Sequence, residues 1–206
     1  TVCLLFSVSL FSQSYCLPTY TSGCIVGDDI NSVYIGNFQD IGTGCTSGNY
    51  NSQTSDTVSI SRTTPVSVSF TSNYSLQYFA IWIDFNDDGD FSDSGEHLWS
   101  SPTDAWSTTT GSITIPSTVS LGSHRMRIRS NYTAAITASQ SCSSLTYGET
   151  HDYTAKIIPQ PACPAPVFAA IVASDTTATL SWTSADTVFL VDYGIGFGST
   201  YWNTAE

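Results

Sequence analysis

The chain has 206 residues, 41% of them hydrophobic and 13% aromatic, which is enough apolar material to bury a core in one large or two small domains. Seventeen acidic residues face only five cationic ones, Arg62, Arg125, Arg127, Arg129 and Lys156, giving a formal net charge of -12. That balance argues against nucleic acid and anionic membrane surfaces as partners and leaves cations, neutral polymers such as extracellular glycans, and other proteins.

Residues Thr1 to Ser14 (TVCLLFSVSLFSQS) form an apolar stretch too short to span a bilayer. It has the shape of a signal-peptide core with a Ser-x-Ser cleavage site, without an initiator Met or basic start, so residues 1–14 are expected to be the remnant of a secretion signal. Past it stand Cys16, Cys24, Cys45, Cys142 and Cys163, with no C-x-x-C pair that would suggest zinc or redox chemistry. Disulfides in an oxidising, extracellular or cell-surface compartment are the economical reading. The first four allow three connectivities, and Cys163 is left for a partner outside these residues.

Helical periodicity is almost absent. Short β-type runs recur between clusters of Gly, Asn, Asp, Ser and Pro: Val33 to Phe38, Thr57 to Ser61, Pro65 to Thr71, Gln77 to Ile83, Ser112 to Pro116, Ser123 to Ser130 and Tyr153 to Ile158. Val66, Val68 and Phe70 alternate with serines, as in a strand with one wet face, whereas QYFAIWI over Gln77 to Ile83 predicts a central strand covered on both. The expected fold is all-β, a β-sandwich or jelly-roll-like domain over residues 15–158.

Between Asp84 and Glu96 the chain reads DFNDDGDFSDSGE. Its first six residues fit the calcium-loop pattern D-x-[DN]-x-[DN]-G, with oxygens at Asp84, Asn86 and Asp88 and a sharp turn at Gly89. Counting from Asp84, however, puts Gly95 at position 12, where an EF-hand has its bidentate Glu, and Glu96 one residue late. The flanks read as strands, with His97 to Trp99 beginning the second. The expectation is an inter-strand loop holding a structural Ca2+ through Asp84, Asn86, Asp88 and a backbone oxygen of Asp90, closed by Asp93 or Glu96, against a solvated acidic turn as the plain alternative.

Arg125, Arg127 and Arg129 fall on one face of a strand, with Met126 and Ile128 on the other. They could recognise external carboxylates or acidic sugars, but internal pairing with Glu149, Asp152 and part of the acidic loop is favoured in so acidic a chain. Tyr34, Tyr50, Tyr74, Trp99, Trp106 and Tyr132 lie in or beside predicted loops, where rings can stack on sugars or simply cover sandwich edges. Trp99 and Trp106 are kept as candidate ligand contacts.

At residues 159–166 the composition shifts to PQPACPAP, a stiff connector and a domain boundary. Beyond it Val167 to Ser174, Ala178 to Thr183 and Val188 to Tyr193 read as strands. With Pro164-Ala-Pro166 before the first and Leu180-Ser-Trp182 on the second, residues 167–206 resemble the opening half of a fibronectin type III domain, an immunoglobulin-like sandwich truncated here.

Tyr15-Cys16, Gly23-Cys24, Gly44-Cys45, Trp82-Ile-Asp84-Phe-Asn86 through Glu96, Gly122-Ser-His124-Arg-Met-Arg127 and Tyr147-Gly148-Glu149-Thr150-His151-Asp152-Tyr153 follow one another along the chain. Together they resemble the GEVED domain, a β-rich module of secreted bacterial, Bacteroidetes-type surface proteins named for a Gly-Glu-Val-Glu-Asp motif. In that motif Thr150 and His151 replace the Val and the second Glu. The resemblance implies a non-catalytic module set beside fibronectin-like domains, proteases and sorting signals. No H-E-x-x-H, G-x-S-x-G or Gly-rich phosphate loop is present, and His97, His124 and His151 share no spacing. The sequence therefore predicts a calcium-stabilised extracellular adhesion or substrate-binding module. An accessory domain of a secreted metalloprotease and a structural spacer are the alternatives.

Overall fold

The structure, a computed structural model, describes residues 14–103, 108–160, 167–173, 178–183, 191–194 and 202–205. The leader with Cys3, Trp106 and Cys163 lie outside the described residues. The chain divides into two compact units, Thr1–Pro159 and Gln160–Glu206.

The first unit is a β-sandwich. A five-stranded sheet runs in the order β4 (Tyr50–Ser61), β11 (Thr150–Ile158), β9 (Gly122–Tyr132), β6 (Gln77–Ile83), β7 (His97–Ser100). All its pairs are antiparallel except β4 with β11. Facing it is an antiparallel four-stranded sheet in the order β3 (Phe38–Ile41), β2 (Ser32–Ile35), β5 (Val66–Thr71), β8 (Thr108–Ile113). The period-2 pattern of the sequence explains the interior: Val58 and Ile60, Phe79, Ile81 and Ile83, Met126 and Ile128, and Tyr153, Ala155 and Ile157 meet Val33, Ile35, Val68, Phe70 and Ile113 in one buried cluster. Phe70 and Phe79 stack across it at 5.2 Å. Trp99 lies beside Phe70 at 5.8 Å and directly over Gly111, where a Cβ would come within 2.6 Å of the indole. The glycine in that strand is therefore a seat for the ring.

The other face of the five-stranded sheet is covered too, as expected from the doubly apolar sequence of β6. Ala80 and Trp82 pack with Phe91 and Ile136, supported by Tyr15 and Tyr78. A parallel two-stranded ribbon of β1 (Tyr20–Gly23) and β10 (Leu145–Tyr147) borders this layer. The disulfide Cys16–Cys142 ties its two outer segments together, and Cys24–Cys45 staples a second loop, which selects one of the three connectivities. Among the described residues no helix is long and apolar enough to cross a membrane.

Local differences from the expected strands have local causes. Val33 to Phe38 is not one strand: Gly36, at φ +56, and Asn37 make a two-residue turn between β2 and β3. The expected strand over Ser112 to Pro116 starts earlier and ends at Ile113, while Ile115 makes an isolated bridge to Arg62. The strand expected from Thr57 begins at Tyr50, with a register break opposite Tyr153 and Thr154 that skips residues 54–56. In the second unit β12 (Val167–Ala173) pairs antiparallel with β13 (Ala178–Thr183), and β14 (Val191–Gly194) with β15 (Trp202–Ala205).

Candidate functional site

The outer face of β9 carries Arg125, Arg127 and Arg129 at alternate positions, and each guanidinium lies under an aromatic ring brought from outside the sheet. Tyr15 covers Arg125 at 4.5 Å, Phe91 of the acidic loop covers Arg127 at 4.7 Å, and Tyr20 covers Arg129 at 4.9 Å. Asp152, opposite Arg127 in the ladder, takes a bidentate pair from Arg127 Nε and Nη2, both at 2.8 Å, and a bond from the Tyr50 hydroxyl at 2.7 Å. Arg125 reaches the same carboxylate at 3.4 Å. Arg127 also donates to the carbonyl oxygens of Cys16 and Ser141, so one side chain holds both segments joined by the Cys16–Cys142 disulfide. Arg129 has no carboxylate: it donates to the Tyr20 hydroxyl and to the carbonyl of Gln140, its Nη2 is buried without a partner, and burial pulls its pKa down.

The motif Gly148-Glu149-Thr150-His151-Asp152 is thus structural on both faces of β11. Gly148, at φ +116, passes so close to β9 that a Cβ would sit 2.1 Å from the Ser130 carbonyl oxygen, so only glycine fits. Glu149 is fully buried and accepts the backbone N–H of Thr46 at 2.7 Å and of Ile30 at 3.1 Å, which anchors the chain on either side of the Cys24–Cys45 staple. Burial alone would raise its pKa, but the nearness of His151 and the N–H bonds from Thr46 and Ile30 outweigh that and hold it below the ordinary value. His151 Nε2 lies 3.3 Å from Glu149, off hydrogen-bond geometry, and Nδ1 meets the Tyr153 hydroxyl at 2.9 Å. Tyr153 in turn donates to Asp40 on β3 at 2.9 Å, so a line of polar side chains crosses from one sheet to the other.

In the acidic loop the two end carboxylates turn inward. Asp84 is buried; its Oδ1 accepts from Asp87 N at 2.7 Å, and its Oδ2 accepts from Gly89 N at 3.0 Å and from the Tyr15 hydroxyl at 2.7 Å. Glu96 is buried as well and caps the N–H groups of Phe85 and Asp93. Burial raises its pKa to about 7, against the pull of those N–H bonds and with a smaller push from Asp84 and Asp93. These two residues fix the neck of the loop. On its exposed rim, Asn86 Nδ2 sits between two carboxylates, 2.9 Å from Asp88 Oδ2 and 2.5 Å from Asp93 Oδ2. Asp90 points elsewhere and accepts from Ser92 N and Oγ at 2.7 Å, which lowers its pKa.

Among the described residues no three His, Cys, Asp or Glu side chains converge as a metal-binding group. The rim set is two carboxylates and one amide, whose nitrogen faces both carboxylates while its oxygen accepts from Asp88 N at 3.1 Å, so the side-chain oxygens of Asn86, Asp88 and Asp93 are the donors this rim offers a cation. Such an all-oxygen set suits a hard cation and not zinc. An open cleft of about 430 Å³ lined by Asn86, Asp93, Gly95, Glu96 and Val119 leaves room for water ligands.

The structure separates the residues singled out in the sequence. Asn86, Asp88 and Asp93 come together on the rim, Asp84 and Glu96 act as anchors beneath them, and Asp90 stands apart. Arg127 and Arg129 are fully buried with internal partners, and only Arg125 of the three is partly exposed. The internal pairing is with Asp152; Glu149 binds backbone instead. Trp99 packs into the sandwich edge, Tyr50 bonds to Asp152, and Tyr74, Tyr132 and Tyr147 form an edge-to-face row with 5.6 Å spacings. Tyr15, Tyr20 and Phe91 were missed: only their role as lids over arginines reveals them, and that depends on chain crossings that no local pattern encodes.

Comparison with known proteins supports the GEVED resemblance over part of the chain. The model of the GEVED domain family matches residues 78–156, from β6 to β11. No curated protein matches the chain. GEVED is a non-catalytic accessory domain family that occurs in secreted proteins, and the two disulfides are consistent with an extracellular protein. Over β6 to β11, then, this chain is similar to the GEVED domain.

Proposed function

We propose that this chain is a non-catalytic, calcium-stabilised binding module of a larger extracellular protein. One observation carries the calcium reading: Asn86 holds an amide between Asp88 and Asp93 while the buried carboxylates of Asp84 and Glu96 fix the loop below. A divalent cation among Asn86, Asp88 and Asp93 would relieve the repulsion of the rim carboxylates and complete its shell with backbone oxygen and water. Its role is structural. Ordering the loop presses Phe91 onto Arg127 and keeps Asp84 against Tyr15, so the cation would brace the whole outer layer. The second unit is read as fibronectin-like, supported by the pairing of Val167–Ala173 with Ala178–Thr183.

The test is thermal unfolding with calcium and with chelator. At a calcium concentration 100 times Kd, mass action adds about 2.7 kcal/mol, and in a unit of this size that raises Tm by roughly 5–10 °C. The double substitution Asp88→Asn with Asp93→Asn abolishes the rise. An unchanged Tm in the wild-type protein contradicts the calcium reading.

A further inference from the structure

The open edge of the five-stranded sheet has a feature of its own. β4 is the edge strand, and among the described residues its one ladder is with β11, in parallel. In a parallel ladder each residue turns its N–H and C=O to one side, and successive residues alternate sides. Arg62 N donates to Ile158 O at 3.1 Å, which sets the phase: Val58 and Ile60 bond toward β11, while the backbone groups of Thr57 and Ser59 turn outward; beyond them that side is taken by Ile115, which bridges Arg62 and accepts from Thr63 N at 2.8 Å. Thr57, Ser59 and Ser61 line a groove of about 510 Å³, faced across its mouth by Phe38 and Val66 of the opposite sheet. The register break confines the protective irregularity of this strand to residues 54–56, and from Thr57 to Ser61 it has no Pro, Lys or bulge to blunt the edge.

We propose that this groove accepts an extended, uncharged peptide segment of a partner protein as an added strand, hydrogen-bonded to the backbones of Thr57 and Ser59. Outward donors and acceptors on alternate residues recur about every 6.6 Å, the repeat of a strand, and a sugar polymer has no reason to match that ladder. The lining holds no ionisable side chain, so a charged segment would lose hydration with no counter-charge in return. Phe38 and Val66 give the inward side chains of the guest an apolar surface. A second copy is disfavoured as the occupant, since each chain carries a formal charge of -12. The inference gives the binding role proposed above a partner class and rests on that role, but not on calcium.

The experiment uses the full chain and a panel of acetylated, amidated hexapeptides of Val, Thr and Ser, followed by amide hydrogen exchange and NMR titration. Before peptide, the amides of Thr57 and Ser59 exchange quickly while those of Val58 and Ile60 are protected; with bound peptide all four are protected. Ser59→Pro deletes one outward N–H without touching the ladder to β11 and should weaken binding at least tenfold, whereas Ser59→Ala should bind as the wild type. Equal losses in both variants would mean that the hydroxyl, not the backbone, is recognised, and would overturn the proposal. So would binding of a neutral glucan hexamer in place of every peptide, protection arising only from self-association, or no protection from any peptide. If peptide binding fails while the calcium-dependent rise in Tm persists, the inference falls and the calcium reading stands.

Discussion

The two faces of the five-stranded sheet are buried by opposite chemistry. On the inner face, aliphatic and aromatic side chains from both sheets close a continuous apolar cluster. On the outer face, three arginines, Asp152 and a set of ring lids do the covering, held by loops that a disulfide joins. The inner layer tolerates loss of a side chain as a cavity, with a cost that scales with the volume left. In the outer layer, losing one partner strands a buried charge, so its energetics are set by pairing more than by volume.

That contrast can be broken by mutation. Asp152→Ala leaves Arg127 buried with no carboxylate and should cost about 3–5 kcal/mol in urea unfolding. If the penalty comes from the orphaned charge, the double substitution Arg127→Met with Asp152→Leu recovers most of it; a double variant as weak as the single one would mean that packing alone decides. Cys16→Ser with Cys142→Ser opens a span of 126 residues and should cost about 2–5 kcal/mol by releasing the unfolded chain. Tyr15→Phe removes one of three donors to buried Asp84 and should cost about 1 kcal/mol, since the two backbone donors remain. Glu96 gives a pH signature. Its carboxyl is raised from 4.5 to about 7 on folding, so the folded state holds that proton more tightly than the unfolded one. In chelator, stability should therefore fall as pH rises from about 4.5 through 7, and Glu96→Gln should flatten that slope. Smallest is Arg125→Ala: it reaches Asp152 only at 3.4 Å from a partly exposed position, and Arg127 still pairs that carboxylate, so the loss should be roughly 0–1 kcal/mol.

The same contrast separates what was legible from what was not. Alternation in Val66–Thr71 and the doubly apolar run in Gln77–Ile83 predict the sandwich because both patterns are local and have the period of a strand. Met126 and Ile128 facing in, with arginines facing out, follows from the same rule. The lids do not. Tyr15 and Arg125 lie 110 residues apart, and Phe91 reaches Arg127 only because the acidic loop folds back over the sheet. β1 and β10 are short and mostly polar, so their pairing rests on tertiary context. In the loop, the spacing of Asp84, Asn86 and Asp88 is visible in sequence, but the division between buried anchors and exposed rim depends on how the neck closes through Glu96.

Calcium binding itself is read by calorimetric titration of the chain at pH 8, above the raised pKa of Glu96. The account predicts one site per chain, with a Kd on the order of 10⁻⁴ M, as for extracellular calcium modules, and loss of that heat when Asp88 and Asp93 are both Asn. A flat titration of the folded wild-type chain, or full binding by the double variant, would contradict it.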